Sequence, residues 1–534
     1  MAVSGEAKLL VNFTILTFSV FVSVYMSYFI SDQFIYYSCL SAEGIDYWSM
    51  NKNDSSAGRE SAQKKAAVIQ SVKNFLGIGF GILSTLFVGY LSDKRGRRFA
   101  LGIILLGEAL KVLTVSVVVF FNLSPWIFVL CEILEGVIGG GLLSVSAQLA
   151  ACIADITQSS KYVAVPGSST DQMKYTKRMI KKRWLLFTLL DAVITCGMAF
   201  ANVLSGYMIV HYRFYATMLT CISFLIPLPI NLFCMTETRV QVVQVGVTVG
   251  ENSSNQLSGD ISIITSEDNE PQTSQDSYSV QRNSNNGCMN KLRVISNLPP
   301  THFILSIIIF MFSICGITDV SYLSLYLMSE PFLWNTQALG LFVGLRDVSC
   351  TLASVLCVTL VVRLQSNQSL KYKHDINDKD TPESVSVSYR SSTTFIDRLK
   401  SVDQIVLILL VFFGLVIFCV HQIIMGVAFT FPIPTANIVV YIATIPRFTK
   451  SLQISILRTM LSKWTEVSNQ GLIMSIIAVI ERLGIMISAT VLPIIYASTI
   501  SVFKGSVFLV CACISFLGAL LALIIPIYAP RVSK

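Results

Sequence analysis

The chain has 534 residues, of which 53% are hydrophobic and 13% charged, and its mean hydropathy is +0.66. A soluble domain carries about 25% charge, so this composition excludes an ordinary water-soluble protein. The net charge of +8 is gathered into a few turns between long uncharged runs, which points to membrane topology rather than to nucleic acid.

A helix needs about 20 mostly apolar residues to cross a bilayer. Twelve such runs are expected, at 9–30, 69–90, 99–121, 126–150, 184–206, 214–235, 301–328, 338–362, 404–426, 435–460, 471–496 and 506–528. They are too long and too continuous for barrel strands, and hydrocarbon has no water to satisfy an open sheet edge. The first run is too long for the apolar core of a signal peptide and has no small-residue cleavage site, so it reads as a retained span. The segment 31–68 reads as the long outer loop and carries a glycosylation sequon at Asn53-Asp54-Ser55.

The turn after the second run reads Gly89-Tyr90-Leu91-Ser92-Asp93-Lys94-Arg95-Gly96-Arg97-Arg98. Its cations mark it as cytoplasmic, because Lys and Arg are retained on the inner face during insertion. The segment after the fourth run adds Lys161, Lys174, Lys177, Arg178, Lys181, Lys182 and Arg183, whereas 122–125 has no cation. Both termini are therefore expected in the cytoplasm. The expected organisation is a six-helix N-terminal half over 1–236, a disordered cytoplasmic linker over 237–300 and a six-helix C-terminal half over 301–534. The linker is rich in Ser, Asn, Gln and Asp, and the C-terminal half carries a polar cytoplasmic insert at 365–403.

Of the thirteen cysteines only Cys39 and Cys288 fall well outside the runs, which is neither a disulfide framework nor a zinc pattern. The four histidines show no metal-ligand spacing, and there is no phosphate-binding glycine loop and no nucleophile elbow. No cofactor, no metal and no enzymatic activity are expected.

The turn at 89–98 resembles the signature G-x-L-x-D-x-x-G-R-[RK] of the major facilitator superfamily, with Gly89, Leu91, Asp93, Gly96, Arg97 and Arg98 in register. The resemblance implies a twelve-helix transporter whose two halves rock about a midplane site. It also implies that Asp93 docks on the facing half as part of the inner gate. Further stretches are similar to the proton-coupled folate transporter group, solute carrier family 46. They are Ile153-Ala154-Asp155-Ile156-Thr157, Leu190-Asp191, Gly316-Ile317-Thr318-Asp319, Leu457-Arg458-Thr459-Met460-Leu461-Ser462-Lys463 with Asn469-Gln470-Gly471, and Tyr496-Ala497-Ser498-Thr499 with Phe503-Lys504-Gly505. By this resemblance Asp155, Asp191, Arg458 and Lys504 match two acids and two bases of the family, and the solute is an organic anion. Two departures touch that implication. Ile314 stands where the folate-transporting members have His, and the segment Glu330–Trp334 lacks the Cys that pairs there with an outer-loop Cys.

Charges within spans are costly and normally face a cavity or a partner. Glu108 and Lys111 are spaced to pair on one helix face. Glu132 and Glu135 share a face above Gly136 and Gly139-Gly140-Gly141. Close carboxylates suit proton capture, or they neutralise neighbouring bases, while the glycines permit close helix contact. Asp191 has no nearby cation in its own helix and is a candidate for proton coupling or for a structural role. Asp319 leads a polar stripe with Tyr322 and Tyr326. Arg346 and Asp347 lie in the eighth run, Arg447, Lys450 and Arg458 in the tenth, and Glu481 and Arg482 in the eleventh. Cations in the second half opposite carboxylates in the first favour an anionic substrate, since Arg holds carboxylate or phosphate with paired hydrogen bonds. Arg458 serves that role or marks the inner face.

The expectation is a monomeric multi-pass transporter of a small organic anion working by alternating access, at the plasma membrane rather than the lysosome. Proton-coupling candidates are Asp191, Glu132, Glu135 and Asp155. Substrate-binding candidates are Asp319, Tyr322, Arg346, Arg447 and Arg458. The alternatives are a pH-independent facilitator and a non-transporting receptor or scaffold on the same fold.

Overall fold

The computed structural model describes residues 2–48, 56–159, 169–235, 237, 300–315, 320–353, 356, 408–449, 453–454, 456–457 and 470–528. Asn53, Asp319, Arg458, the insert 365–403 and all of 237–300 except Glu237 and Pro300 therefore lie outside the described residues. So does the side chain of Asp93, although its backbone is helical.

The described elements are helical. They are α1 (Ala2–Ala42), α2 (Ser56–Arg95), α3 (Arg97–Phe120), α4 (Ile127–Gly139), α5 (Leu142–Ser159), α6 (Ser169–Ser223) and α7 (Pro227–Cys234). Then follow α8 (Pro300–Cys315), α9 (Val320–Leu327), α10 (336–353), α11 (408–427), α12 (Thr435–Ala443), α13 (Gln470–Thr499) and α14 (Ser506–Tyr528). Among them eight segments are long and apolar enough to cross a membrane. Met1–Arg239 and Thr301–Lys534 pack as one body.

Several boundaries differ from the hydropathy reading. The long outer loop shrinks, because α1 continues to Ala42 and α2 starts at Ser56. Those extensions stay helical by burying side chains on neighbouring helices: Phe34 meets Phe128 at 5.8 Å and Phe214 at 5.4 Å between ring centroids. On α2, Ala62, Ala66 and Ala67 are buried. Gly44, with φ 73°, closes α1, and the Ile45 N–H donates to the Leu40 carbonyl at 3.0 Å. Lys65 and then Ser61, by hydrogen bonds, hold the Glu43 carboxyl beyond that end below its ordinary value.

The fourth expected span is two helices. Gly140 and Gly141 have φ of 74° and 78°, a conformation a side chain resists, and they break the helix between α4 and α5. The expected turn at 207–213 is helical, and α6 runs through it to a kink at Arg213, φ 65°. The Arg213 guanidinium lies 3.9 Å from the Trp48 ring, a cation–π contact that fixes the kink. The tenth span is interrupted at Pro446, which lacks an N–H and disfavours helix in the residue before it. Pro446–Thr449 is a 3-10 turn.

α2 and α4 lie unusually close. A Cβ on Gly136 would meet the Gly77 carbonyl oxygen at 2.6 Å, and one on Gly77 would meet Glu132 Cβ at 2.9 Å. Small residues on the two facing surfaces thus let the backbones touch. Gly139 does the same against Ile104 of α3, with its added Cβ 3.0 Å from the Ile104 carbonyl oxygen. The close-contact reading therefore holds for Gly136 and Gly139.

The halves meet at the end of the bundle that carries the α1–α2 loop. Arg59 pairs with Glu330 at 2.7 Å and Tyr47 and Thr336 share a 2.7 Å hydrogen bond, while within the second half Lys504 Nζ donates to the Glu330 carbonyl at 3.2 Å. Below them α6 and α10 pack glycine on backbone: the Cα atoms of Gly206 and Gly340 leave no space for a side chain, and a Cβ on Gly344 would lie 2.9 Å from the Ala199 carbonyl oxygen. Gly340→Val is expected to prise this seam apart, costing about 1–3 kcal/mol as overpacking does. Thermal unfolding of the purified variant checks it, and an unshifted transition would contradict the tight seam.

Candidate functional site

A cavity of about 500 Å³ lies between the halves. The first half supplies Asp32 from α1, Lys73 and Asn74 from α2, and Glu132 and Glu135 from α4. The second half supplies Arg346 and Asp347 from α10 and Arg482 from α13. Tyr25, Tyr28, Met198 and Leu339 give the remaining wall an apolar and aromatic character. A mostly apolar concavity with a few converging polar groups is the ordinary form of a small-molecule site.

Helical spacing explains how each element presents its groups. Lys73, Asn74 and Gly77 follow at steps of one to four along one face of α2, and Glu132, Glu135 and Gly136 do so on α4. The close α2–α4 approach through Gly77 and Gly136 holds these two faces together at the cavity wall.

Each cavity cation is held in place. Lys73 Nζ donates to Asp32 Oδ1 at 2.6 Å, and the lysine is 2% exposed. Arg346 Nε donates to Asp347 Oδ1 at 3.1 Å. Arg482 crosses between the halves and is held by carbonyls and hydroxyls. It donates to the carbonyls of Gly81 and Gly140, each at 3.3 Å, to Ser144 Oγ at 3.1 Å and to Thr85 Oγ1. The helix break at Gly140 makes this possible, since it turns carbonyl groups away from the α4 ladder and toward Arg482. Behind the cavity wall Lys111 Nζ lies 2.9 Å from Glu132 Oε2 and 2.5 Å from Glu135 Oε2. The expected Glu108–Lys111 pairing within α3 is thus replaced by pairing of Lys111 across to α4.

The sequence-derived candidates separate. Glu132, Glu135 and Arg346 line the cavity. Asp155 does not: its Oδ2 accepts from Arg97 Nε at 2.8 Å, at the turn between α2 and α3. That turn is fastened within the first half. Arg97 also donates to Ser92 Oγ at 2.8 Å, and Glu237 accepts from the backbone N–H groups of Arg97 and Arg98 at 2.9 and 3.2 Å. Glu237 thereby caps the start of α3, where a carboxylate meets the unsatisfied N–H groups. It packs against Gly96, whose φ of 101° a side chain resists, and Gly89 stands in open space.

Asp191 is exposed rather than enclosed, and its carbonyl accepts from the Thr195 hydroxyl at 2.9 Å. Thr195, one turn on, is the residue that reaches the cavity. Tyr322 is buried against Phe508 and lies 3.6 Å from Cys511 Sγ, and Tyr326 donates to the Met425 carbonyl at 2.8 Å. The residue of α9 that lines the cavity is Ser324, since positions two apart point to nearly opposite sides of a helix. Arg447 is buried in the second half and donates to His421 Nε2 at 3.3 Å, while His421 Nδ1 faces the Ala443 carbonyl at 2.6 Å.

Sequence reasoning passed over Asp32 and Lys73. Asp32 falls in the segment assigned to the outer loop, and Lys73 sits just inside the second run. The signal that finds them is the charge itself, since both stand close to apolar runs where a charge needs a partner.

Charge reversal at the loop end checks the junction between halves. Arg59→Glu is expected to lower the thermal unfolding temperature of the purified chain, and adding Glu330→Arg to restore part of it. Equal loss in the single and double variants would show that the pair does not hold the halves together.

Solved structures share this architecture. The nucleoside transporter NupG, in a mutant form, is 11% identical, with 97% of this chain and 99% of that chain covered, at a TM-score of 0.55. The xylose transporter XylE from E. coli, in an inward open conformation, is 13% identical, with 96% and 94% covered, at 0.53. The human organic anion transporter MFSD10 is 13% identical, with 96% and 99% covered, at 0.50. No family model matches the sequence, and no curated protein matches it. At these identities the likeness establishes the fold: an all-α polytopic membrane bundle of the major facilitator type, with eight helices long and apolar enough to span among the described residues.

Proposed function

We propose that the protein carries a small organic anion across a membrane by alternating access, in symport with protons. The observation that supports this reading most is the cavity between the halves, with cations contributed from both sides. Lys73 comes from the first half, and Arg346 and Arg482 from the second. A carboxylate or phosphate in this space would meet donors of both halves. It would bind most tightly in the arrangement that brings them together, the unequal binding that alternating access requires. The fold neighbour described as an organic anion transporter fits the same class of solute.

Glu132 and Glu135 are the coupling candidates that border the cavity. They stand opposite Arg346 and Arg482, so taking up a proton there weakens the negative field that an incoming anion meets. Proton and anion then strengthen each other's binding, as linkage demands. The resemblance to solute carrier family 46 supports proton coupling as well. The turn Gly89, Asp93, Gly96, Arg97 and Arg98 would act as the gate on the side away from the α1–α2 loop, with Asp155 and Glu237 holding its shape. With both termini cytoplasmic, the end that carries the α1–α2 loop would face outward.

The test is uptake of a panel of labelled organic anions into cells expressing the chain, at acidic and neutral external pH. Saturable uptake of one anion class, faster at acidic pH, is expected. Equal uptake at both values would favour a facilitator without protons, and surface binding without accumulation a receptor.

A further inference from the structure

Behind the cavity wall α3 and α4 enclose a group of charges larger than the cavity chemistry needs. Lys111 and Glu108 of α3 are both 0% exposed, and Glu135 and Glu132 of α4 are 2% and 6% exposed. One ammonium therefore faces three carboxyl groups. Lys111 contacts Glu132 and Glu135, and its Nζ lies 3.3 Å from the Tyr28 ring centroid, a cation–π contact. The Tyr28 hydroxyl donates to Glu135 Oε1 at 3.2 Å.

Glu108 is the exception in this group. Neither of its oxygens meets a donor among the described residues. Its carboxyl group faces the carboxyl group of Glu135 instead. Two carboxylates cannot hydrogen-bond each other, but a carboxylic acid donates to a carboxylate. A fully buried acid with no cation of its own and a second acid against it is the geometry of a shared proton.

Among the described residues the surroundings leave no other source of compensation. The further titratable groups facing the cluster are Tyr25 and Tyr28 from α1, Lys73 from α2, Cys131 of α4 and Cys221 from α6. Lys73 is already paired with Asp32.

We propose that Glu108 and Glu135 hold a proton between them, and that this buried cluster, with Lys111 at its centre, is where the coupling proton loads. The inference rests on the proton-coupled reading above and deepens it. Glu132 and Glu135 border the cavity, so a hydronium ion there can give its proton to either carboxylate. An O–H bond forms on the carboxylate, one breaks in the hydronium, and water is left in the cavity. With the shared proton alone the cluster carries one net negative charge. With the second it is neutral, the form that costs least to keep buried while the halves move. Glu108 thus acts as an interior reserve, and Glu132 and Glu135 as the face open to the cavity.

The carboxylic C=O stretch in the infrared spectrum of the purified full chain tests this, since only a protonated carboxyl absorbs there. The wild type is expected to show the band at neutral pH and to gain intensity on acidification. Glu108→Gln and Glu135→Gln are each expected to abolish the neutral-pH band. Glu108→Asp, which keeps the acid and shortens its reach, should shift it if the Gln variants do not fold. Absence of the band from the wild type, or its persistence in both Gln variants, would overturn the proposal. So would a band removed only by Asp191→Asn, which places the proton on that exposed acid. Wild-type uptake that ignores a proton gradient, with the band behaving as expected, would overturn the coupled reading and leave the shared proton standing.

Discussion

Lys111→Met is expected to destabilise the protein by about 3–5 kcal/mol, the usual result of removing one partner from a buried charge network. Methionine nearly matches the lysine stem in volume, so packing changes little and the lost charge dominates. Glu132, Glu135 and Glu108 then face one another with no ammonium between them. The effect has a sign in pH. Acidification neutralises the stranded carboxylates, so the variant should recover stability as pH falls, whereas the wild type should respond less. Thermal unfolding of the purified variant over a pH series measures both statements. A second replacement, Glu132→Gln, removes part of the excess charge and should restore part of the loss. A Lys111→Met protein as stable as the wild type at neutral pH would show that the cluster is not ionised as drawn.

Arg346→Gln is expected to weaken anion binding by about 10–100-fold. A hydrogen bond to a charged group contributes about 1.5–3 kcal/mol, and each 1.4 kcal/mol is a factor of ten in affinity. Arg346 is 3% exposed, lines the cavity and uses Nε on its neighbour Asp347, so its planar fork is already oriented. Arg346→Lys keeps the charge and loses the fork, and should fall between the wild type and Arg346→Gln. Concentration dependence of uptake at matched surface abundance measures the series. Equal apparent affinities across the three proteins would remove Arg346 from the site.

Fold and site were legible to different depths. The twelfth span was placed at 506–528 and is α14, Ser506–Tyr528, because a bare apolar run between polar ends leaves hydropathy nothing to misjudge. Hydropathy makes the outer loop too long because it marks where a helix leaves the hydrocarbon, not where it ends. Phe34 and Ala62 keep α1 and α2 helical beyond that point by packing. Gly139-Gly140-Gly141 reads as a contact surface in the sequence; Gly139 and Gly140 do come close to neighbouring helices, but Gly140 and Gly141 also break the helix. Whether a glycine packs or breaks a helix depends on backbone angles that composition does not encode. Among the charges, the α4 spacing of Glu132 and Glu135 put both at the cavity. Lys111 was assigned to Glu108 by local spacing, but two carboxylates on the next helix outcompete one on its own. Local periodicity says which residues share a face. It does not say which helix that face meets, and that step separated Tyr322 and Arg447 from the cavity.

Counterflow in proteoliposomes tests the central claim most directly. Purified protein is reconstituted, the vesicles are loaded with an unlabelled organic anion drawn from the uptake panel, and a trace of the labelled anion is added outside. A carrier that exposes one cavity alternately to each side should accumulate label transiently above its equilibrium level, because outward movement of unlabelled anion returns the empty site. Arg346→Gln should show a smaller overshoot. Label that merely equilibrates at the same rate with and without internal anion would contradict alternating access through this cavity.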